Sequence, residues 1–256
     1  MKENVLSLPG SYGDKKTLLS FLTPDVANDT YVLFFHGVHS SANFSHGNKY
    51  RWLARSFAKL GFTPFLCETS RKARDIASFG SDTLSWIMSA FEGKTFAQEL
   101  KDCQNAFDYV ANLAREKSKK LWLCGFSLGG IIAYAISTMT ECLDHLILCG
   151  SGAYANDTAA SFQKNLPITR DLLRVKNFDF SLSCPNFATA FWGEQDNIFP
   201  KDACEKLFSF VRAKVKKKFF VIKGANHSFK CRNGVLDRSL IKEITTKIIQ
   251  SVQISV

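Results

Sequence analysis

The sequence predicts an α/β domain, a mostly parallel sheet with helices on both faces, and three observations predict it. Short apolar runs alternate with longer stretches of helical spacing, as repeated strand–helix–strand units require. Some runs, such as YVLFFHG at 31–37, are apolar without alternation, the mark of a strand buried on both faces. Glycine and proline punctuate the joints: Gly61 closes one helical stretch and Pro200 stands near the start of another.

Taken in order, TLLSFLTP (17–24) and YVLFFHG read as strands. GNKYRWLARSFAKLG (47–61) reads as a helix, because Tyr50, Leu53, Phe57 and Leu60 fall on one face. FTPFLCE (62–68) is again a strand. Segment 95–118 carries Phe96, Leu100, Cys103, Phe107 and then Leu113 or Ala114 along one stripe, so it is an amphipathic helix. There follow KLWLCG (strand), LGGIIAYAISTM (helix), DHLILCG (strand) and a less regular stretch, 151–184. NFATAFWG (strand), PKDACEKLFSFVRAK (helix), KFFVIKG (strand) and an amphipathic helix from about residue 235 complete the chain. No repeat or linker interrupts it, so 1–256 is expected to be one domain with 151–184 inserted over one edge.

The 256 residues are 46% hydrophobic and 22% charged, which excludes a disordered or fibrous chain. No run of about 18 apolar residues predicts a transmembrane helix. The N-terminal stretch lacks a long apolar region and a small-residue cleavage site, so a cytoplasmic protein is expected. The eight cysteines include no Cys-x-x-Cys pair; several lie in apolar runs or helical stripes, as structural thiols do, and no metal site is expected.

One short stretch carries chemistry. Gly125-Phe126-Ser127-Leu128-Gly129 reads G-x-S-x-G, following a strand and opening a helix. In that setting the sharp turn lifts the serine above the strand end as a nucleophile. The alternative is a strand–helix loop in which serine is an ordinary N-cap. A serine nucleophile needs a base, and the base needs an acid to orient it. The chain has five histidines: His36, His39, His46, His145 and His227. In a parallel sheet reactive groups gather at the carboxyl ends of strands, and His227 sits just beyond KFFVIKG. His145 starts its strand, at the wrong edge, and is expected to be structural. His36 ends a strand but precedes the serine, and is expected to pack or hydrogen-bond beneath the adjacent loop. Asp196 lies three residues past Gly193 at another strand end, and the competing Glu194 is expected to be exposed. Acyl transfer also needs amide donors for the oxyanion. The Leu128 N–H, at the start of the helix, is one. The Val38 N–H, in the HGVHS loop, is assigned as the second.

With FFHGVHS, CGFSLGG, WGEQDNIFP and KGANHSF in that order, the chain resembles the α/β-hydrolase superfamily over essentially its whole length. Within it, the chain looks most like small bacterial esterases of the feruloyl/cinnamoyl-esterase and monoacylglycerol-lipase type. The resemblance implies an α/β-hydrolase fold: an eight-stranded, mostly parallel sheet, its second strand antiparallel, with a cap after the sixth strand, where 151–184 falls. The chain departs from the pattern after its fourth strand. Such esterases often carry Asp-x-x-Gly-x-Gly-x-Ser there, whereas this chain reads CETSRKARDIASFG.

Net charge is +10. Lys117, Lys119 and Lys120 precede one strand and Lys214, Lys216, Lys217 and Lys218 another, so both clusters belong to the edge away from the site. No nucleic-acid motif accompanies them. Arg71, Lys72 and Arg74 follow a strand's carboxyl end instead, and Lys164, Arg170, Arg174 and Lys176 fall in the cap segment among phenylalanines and leucines. These predict a cationic substrate rim, suited to an acyl chain on an anionic carrier or to a carboxylate-bearing ester. The expected activity is a serine hydrolase cleaving carboxylic esters through Ser127, His227 and Asp196, with an acyl-enzyme intermediate and no metal or organic cofactor. An acyl-carrier or acyl-CoA thioesterase is the first alternative, and a non-catalytic hydrolase-like binding protein the second.

Overall fold

Eight strands in the order β1-β2-β4-β3-β5-β6-β7-β8 form one sheet at the centre of the computed structural model, which describes residues 1–38, 40–75, 83–156, 167–170, 185–212, 216–231 and 234–252. The strands are β1 (Lys2–Pro9), β2 (Lys16–Thr23), β3 (Thr30–Phe35), β4 (Thr63–Glu68), β5 (Lys120–Phe126), β6 (His145–Cys149), β7 (Phe187–Gln195) and β8 (Lys216–Asn226). β2 runs antiparallel to both its neighbours and the remaining pairs are parallel. This is the α/β-hydrolase fold that the resemblance implied.

Alternate residues of the central strands serve two cores. Leu33 and Phe35 of β3, with Leu121 and Leu123 of β5, join one cluster; Val32, Phe34, Trp122 and Cys124 join the other. Both faces are apolar, so these strands read in the sequence as unbroken apolar runs. Helices α2 (Thr83–Phe91), α3 (Phe96–Glu116), α4 (Leu128–Ser137) and α6 (Lys201–Ser209) cover the first face, and α1 (Lys49–Lys59) and α7 (Arg238–Val252) the second. Local chemistry sets the helix starts. The Asn48 side chain accepts from Tyr50 N at the head of α1, and Thr95 and Gln98 form a reciprocal capping box at the head of α3.

Two elements escaped the sequence reading. β1 is an edge strand with no buried residue; its half-buried face mixes Asn4 with Leu6 and Leu8 while Val5 on the other face is 63% exposed, so apolar residues do not mark its alternation. α2, TLSWIMSAF, is short and apolar nearly all round, without a polar face to display helical spacing. The opposite edge is β8, whose exposed Lys216, Lys218 and Lys223 discourage pairing with another chain. Within the expected insertion, Pro167–Arg170 forms a short helix, α5, packed on α3. Residues 157–166 and 171–184, including Lys164, Arg174 and Lys176, lie outside the described residues. Among the described residues no helix is long and apolar enough to cross a membrane.

Candidate active site

Ser127 stands between β5 and α4 with φ 54° and ψ −121°, a conformation that side chains rarely adopt. Its amide donates to Cys149 O of the neighbouring strand at 2.9 Å, which holds the turn down. Glycine is compulsory on either side. A Cβ on Gly125 would lie 2.1 Å from Gly129 O, and one on Gly129 would lie 2.4 Å from His36 O.

The other two groups arrive from strand ends to the C-terminal side. Asp196 follows β7; its Oδ1 accepts the amides of Ile198 (2.9 Å) and Phe199 (3.0 Å), which fix the carboxylate in a tight turn. His227 follows β8, and Asn226 beside it accepts from Ser228 N and Lys230 N to shape its loop. Phe229 anchors that loop, fully buried against Phe126. His227 Nδ1 is 3.0 Å and 2.9 Å from the Asp196 carboxylate oxygens, and Nε2 is 2.9 Å from Ser127 Oγ. An acceptor-only carboxylate requires the ring proton on Nδ1, which leaves Nε2 to accept the serine proton. The Asp196 side chain is sealed from solvent and the His227 side chain is 18% exposed. The structure thus brings together all three residues singled out in the sequence.

Leu128 is the first residue of α4, where helix amides lack an acceptor within the helix. The loop holding Val38 lies against the serine, since a Cβ on Gly37 would be 2.9 Å from Ser127 Cβ. A cavity of about 840 Å³ opens beside the histidine, lined by Gln195, Asn197, Ile198, Asn226, His227 and Ser228. Among the described residues its walls carry carboxamides and a hydroxyl but no lysine or arginine.

Arg71 and Arg74 do not stand free at the edge expected of them, and the cap's Lys164, Arg174 and Lys176 lie outside the described residues. Arg71 is fully buried, with Nη1 3.7 Å from Glu68. Arg74 pairs with Asp14 at 2.5 Å and Glu68 at 2.7 Å. Lys72 is exposed and pairs with Glu92 at 3.1 Å. Position at a strand end told which edge these residues occupy; the carboxylates beside Arg71 and Arg74 turn them inward. Next to them Lys94, also fully buried, meets Glu99 at 2.5 Å and Asp102 at 3.0 Å. Burial opposes charge on all three, but mutual attraction outweighs it, so Lys94 is raised and both carboxyls are lowered.

The remaining candidates divide simply. His145 is buried, bonded through Nε2 to Thr189 Oγ1 at 2.8 Å, and burial pushes it down to about 3. His36 is also buried, with its ring bonded to Thr69, Arg71 and Gly37 O, as the sequence reading expected of it. His46 is exposed, and His39 lies outside the described residues. Glu194 is exposed and accepts from Gly224 N at 3.0 Å. Sequence reasoning missed Lys49, whose ammonium donates to Ser228 O (3.1 Å) and stands 4.2 Å from the Phe126 ring centre, bracing the histidine loop. Its partner is a backbone carbonyl 179 residues away, for which no local signal exists.

Strand order and a serine on the turn between β5 and α4 define an α/β serine hydrolase. Residues 43–244 match the dienelactone hydrolase family, and the chain belongs to that family. Similar solved structures include Est1E from Butyrivibrio proteoclasticus with ferulic acid bound, at 14% identity and TM-score 0.67, covering 93% of this chain and 96% of that one. A soluble variant of monoglyceride lipase from Saccharomyces cerevisiae, bound to a substrate analogue, shows 14% identity and TM-score 0.66 over 92% and 90%. Dienelactone hydrolase from Anabaena variabilis shows 17% and 0.62 over 98% and 99%. At these identities the likeness is one of fold. No curated protein matches the chain by sequence.

Proposed function

We propose that the protein hydrolyses carboxylic esters by way of an acyl-enzyme on Ser127. The observation that carries the reading is the continuous chain from Ser127 Oγ through His227 to Asp196, with each link at 2.9–3.0 Å. His227 Nε2 takes the serine proton as Oγ attacks the acyl carbon. Asp196 holds the Nδ1–H tautomer and stabilises the imidazolium that forms. The negative charge gathering on the carbonyl oxygen is met by the Leu128 and Val38 amides, each worth roughly 3–4 kcal/mol at the transition state. His227 then gives its proton to the departing alcohol. Water, deprotonated by the same nitrogen, releases the acid and restores the serine.

The carboxamides and hydroxyl among the described lining residues suit a neutral ester. The thioesterase alternative drew its support from a cationic rim, and Arg71 and Arg74 are instead committed to buried or half-buried ion pairs. The ligands of two structural neighbours, ferulic acid and a lipase substrate analogue, also support a carboxylic ester. A fluorophosphonate probe tests the reading: it should label Ser127 in the folded chain, and p-nitrophenyl esters should be cleaved faster than acyl thioesters. An unlabelled Ser127 would leave only a binding protein of hydrolase shape.

A further inference from the structure

The ester chemistry leaves one buried polar assembly unused, and at its heart is an arginine withdrawn completely from solvent. A buried ion pair seldom repays its desolvation in stability, so the direction of its hydrogen bonds matters more than their number. They run toward the loop that follows β3. Arg71 Nε donates to Thr69 O at 3.2 Å, and Arg71 Nη2 lies 3.3 Å from His36 Nε2. The Thr69 amide donates to the same nitrogen at 3.3 Å. The Thr69 hydroxyl, 3.2 Å from it, spends its proton on Glu99 Oε1 at 3.1 Å. With donors aimed at Nε2, the ring proton must sit on Nδ1, and Nδ1 is 2.8 Å from Gly37 O. Burial pushes His36 down to about 4, so the ring is neutral near pH 7.

The carbonyl of Gly37 and the N–H of Val38 are the two ends of a single peptide unit. That unit is planar and trans, so its C=O and N–H point in opposite directions. Gripping the oxygen aims the hydrogen. We infer that Arg71 is a positioning residue: it holds His36 in one tautomer and one orientation, and His36 thereby locks the Gly37–Val38 peptide with its N–H toward the oxyanion formed at Ser127. The inference rests on the reading of Val38 as an oxyanion donor. Arg71 itself is steadied by Glu68 and by the Phe91 ring, 4.9 Å from its guanidinium carbon.

The test compares the full-length wild type with Arg71→Met, His36→Phe, their double variant and His36→Asn. Glu68 keeps Arg74 and Asn43, each at 2.7 Å, when Arg71 is shortened, so Arg71→Met retains a compensated carboxylate. Each protein is assayed for kcat and KM on a p-nitrophenyl ester and for affinity toward a trifluoromethyl ketone, which adds to the serine as a tetrahedral oxyanion. Arg71→Met and His36→Phe should each lower kcat about 10²-fold, the loss typical of one misplaced oxyanion donor. Ketone affinity should fall in parallel and KM stay within about twofold, a split that general loosening of the fold does not produce. His36→Asn, whose amide nitrogen can reach the Gly37 carbonyl, should recover most of the loss. The double variant should be no slower than His36→Phe, because Arg71 acts through that ring. Wild-type kcat in Arg71→Met, or losses that multiply in the double variant, would overturn the inference while leaving the hydrolase reading intact. A wild type that neither turns over ester nor accepts the fluorophosphonate would overturn both. Should Arg71→Met or His36→Phe fail to fold by thermal melt, Arg71→Lys and His36→Asn decide by the same kcat and ketone measurements.

Discussion

Two polar assemblies lie at the carboxyl edge of the same sheet, and they are built on opposite terms. The chain of Ser127, His227 and Asp196 is small, with its histidine open to the cavity. The assembly beyond β4 gathers Asp14, Glu68, Arg71, Arg74, Lys94, Glu99 and Asp102, mostly shut away from water. Burial raises each of its carboxyls, but the neighbouring cations and hydrogen bonds outweigh burial and hold all four below the usual range. The first assembly is arranged to pass a proton; the second keeps fixed charges at neutral pH. Mobility of charge belongs where substrate arrives, and immobility belongs where a loop must be held still.

The largest expected effect falls on the mobile side alone. Ser127→Ala should lower kcat about 10⁶-fold, by analogy with triad deletions elsewhere. Its melting temperature should stay near the wild type, since among the described residues the Ser127 hydroxyl bonds to His227 alone. Steady-state assays and a melt check this, and appreciable turnover in the variant would remove Ser127 from the mechanism.

Acid should expose the buried side next. His36 and His145 are held down to about 4 and about 3, whereas the unfolded chain binds those protons near pH 6.5. Between pH 6.5 and 4 the unfolded state therefore carries more protons, and stability falls as pH falls, by up to about 1.4 kcal/mol per pH unit for each histidine. The depressed carboxyls add their loss as pH falls through about 4.5, where the unfolded chain begins to take up their protons. Urea unfolding at pH 7 and pH 5 measures the first stage, and His145→Gln should remove about half of the slope. A slope unchanged by that substitution would assign the acid sensitivity elsewhere.

The smallest effect concerns Lys72, the most exposed of Arg71, Lys72 and Arg74. Lys72→Gln should leave KM unmoved for both a neutral ester and a carboxylate-bearing one. A selective rise for the anionic ester would restore a substrate role to the β4 end and blur the contrast between the two assemblies.

The two assemblies were also unequally legible in the sequence. Ser127, Asp196 and His227 could be found because each lies just past a strand, in one chain order, on a turn that glycine spacing announces. Arg71 and Arg74 were placed at the correct edge but pointed the wrong way. Glu68, which both arginines meet, lies close by in the chain, but what completes their burial comes from distant segments: Asp14 from the β1–β2 turn, and Glu99, through Thr69, from α3. Spacing along a chain reports which end of a strand a residue occupies, not whether its side chain finds a buried carboxylate. β1 was hidden for a different reason: its half-buried face mixes Asn4 with Leu6 and Leu8 and Val5 faces water, so residue type does not follow the alternation.

The separation of Ser127 from His227 has a consequence in time. The two side chains meet across 100 residues, and His227 hangs on β8, an edge of the sheet that pairs with β7 alone. A ribosome delivers the serine and its strained turn well before the histidine exists. Until β8 docks, the hydroxyl lacks its His227 partner, so under the proposed mechanism the growing chain does not yet carry an activated serine.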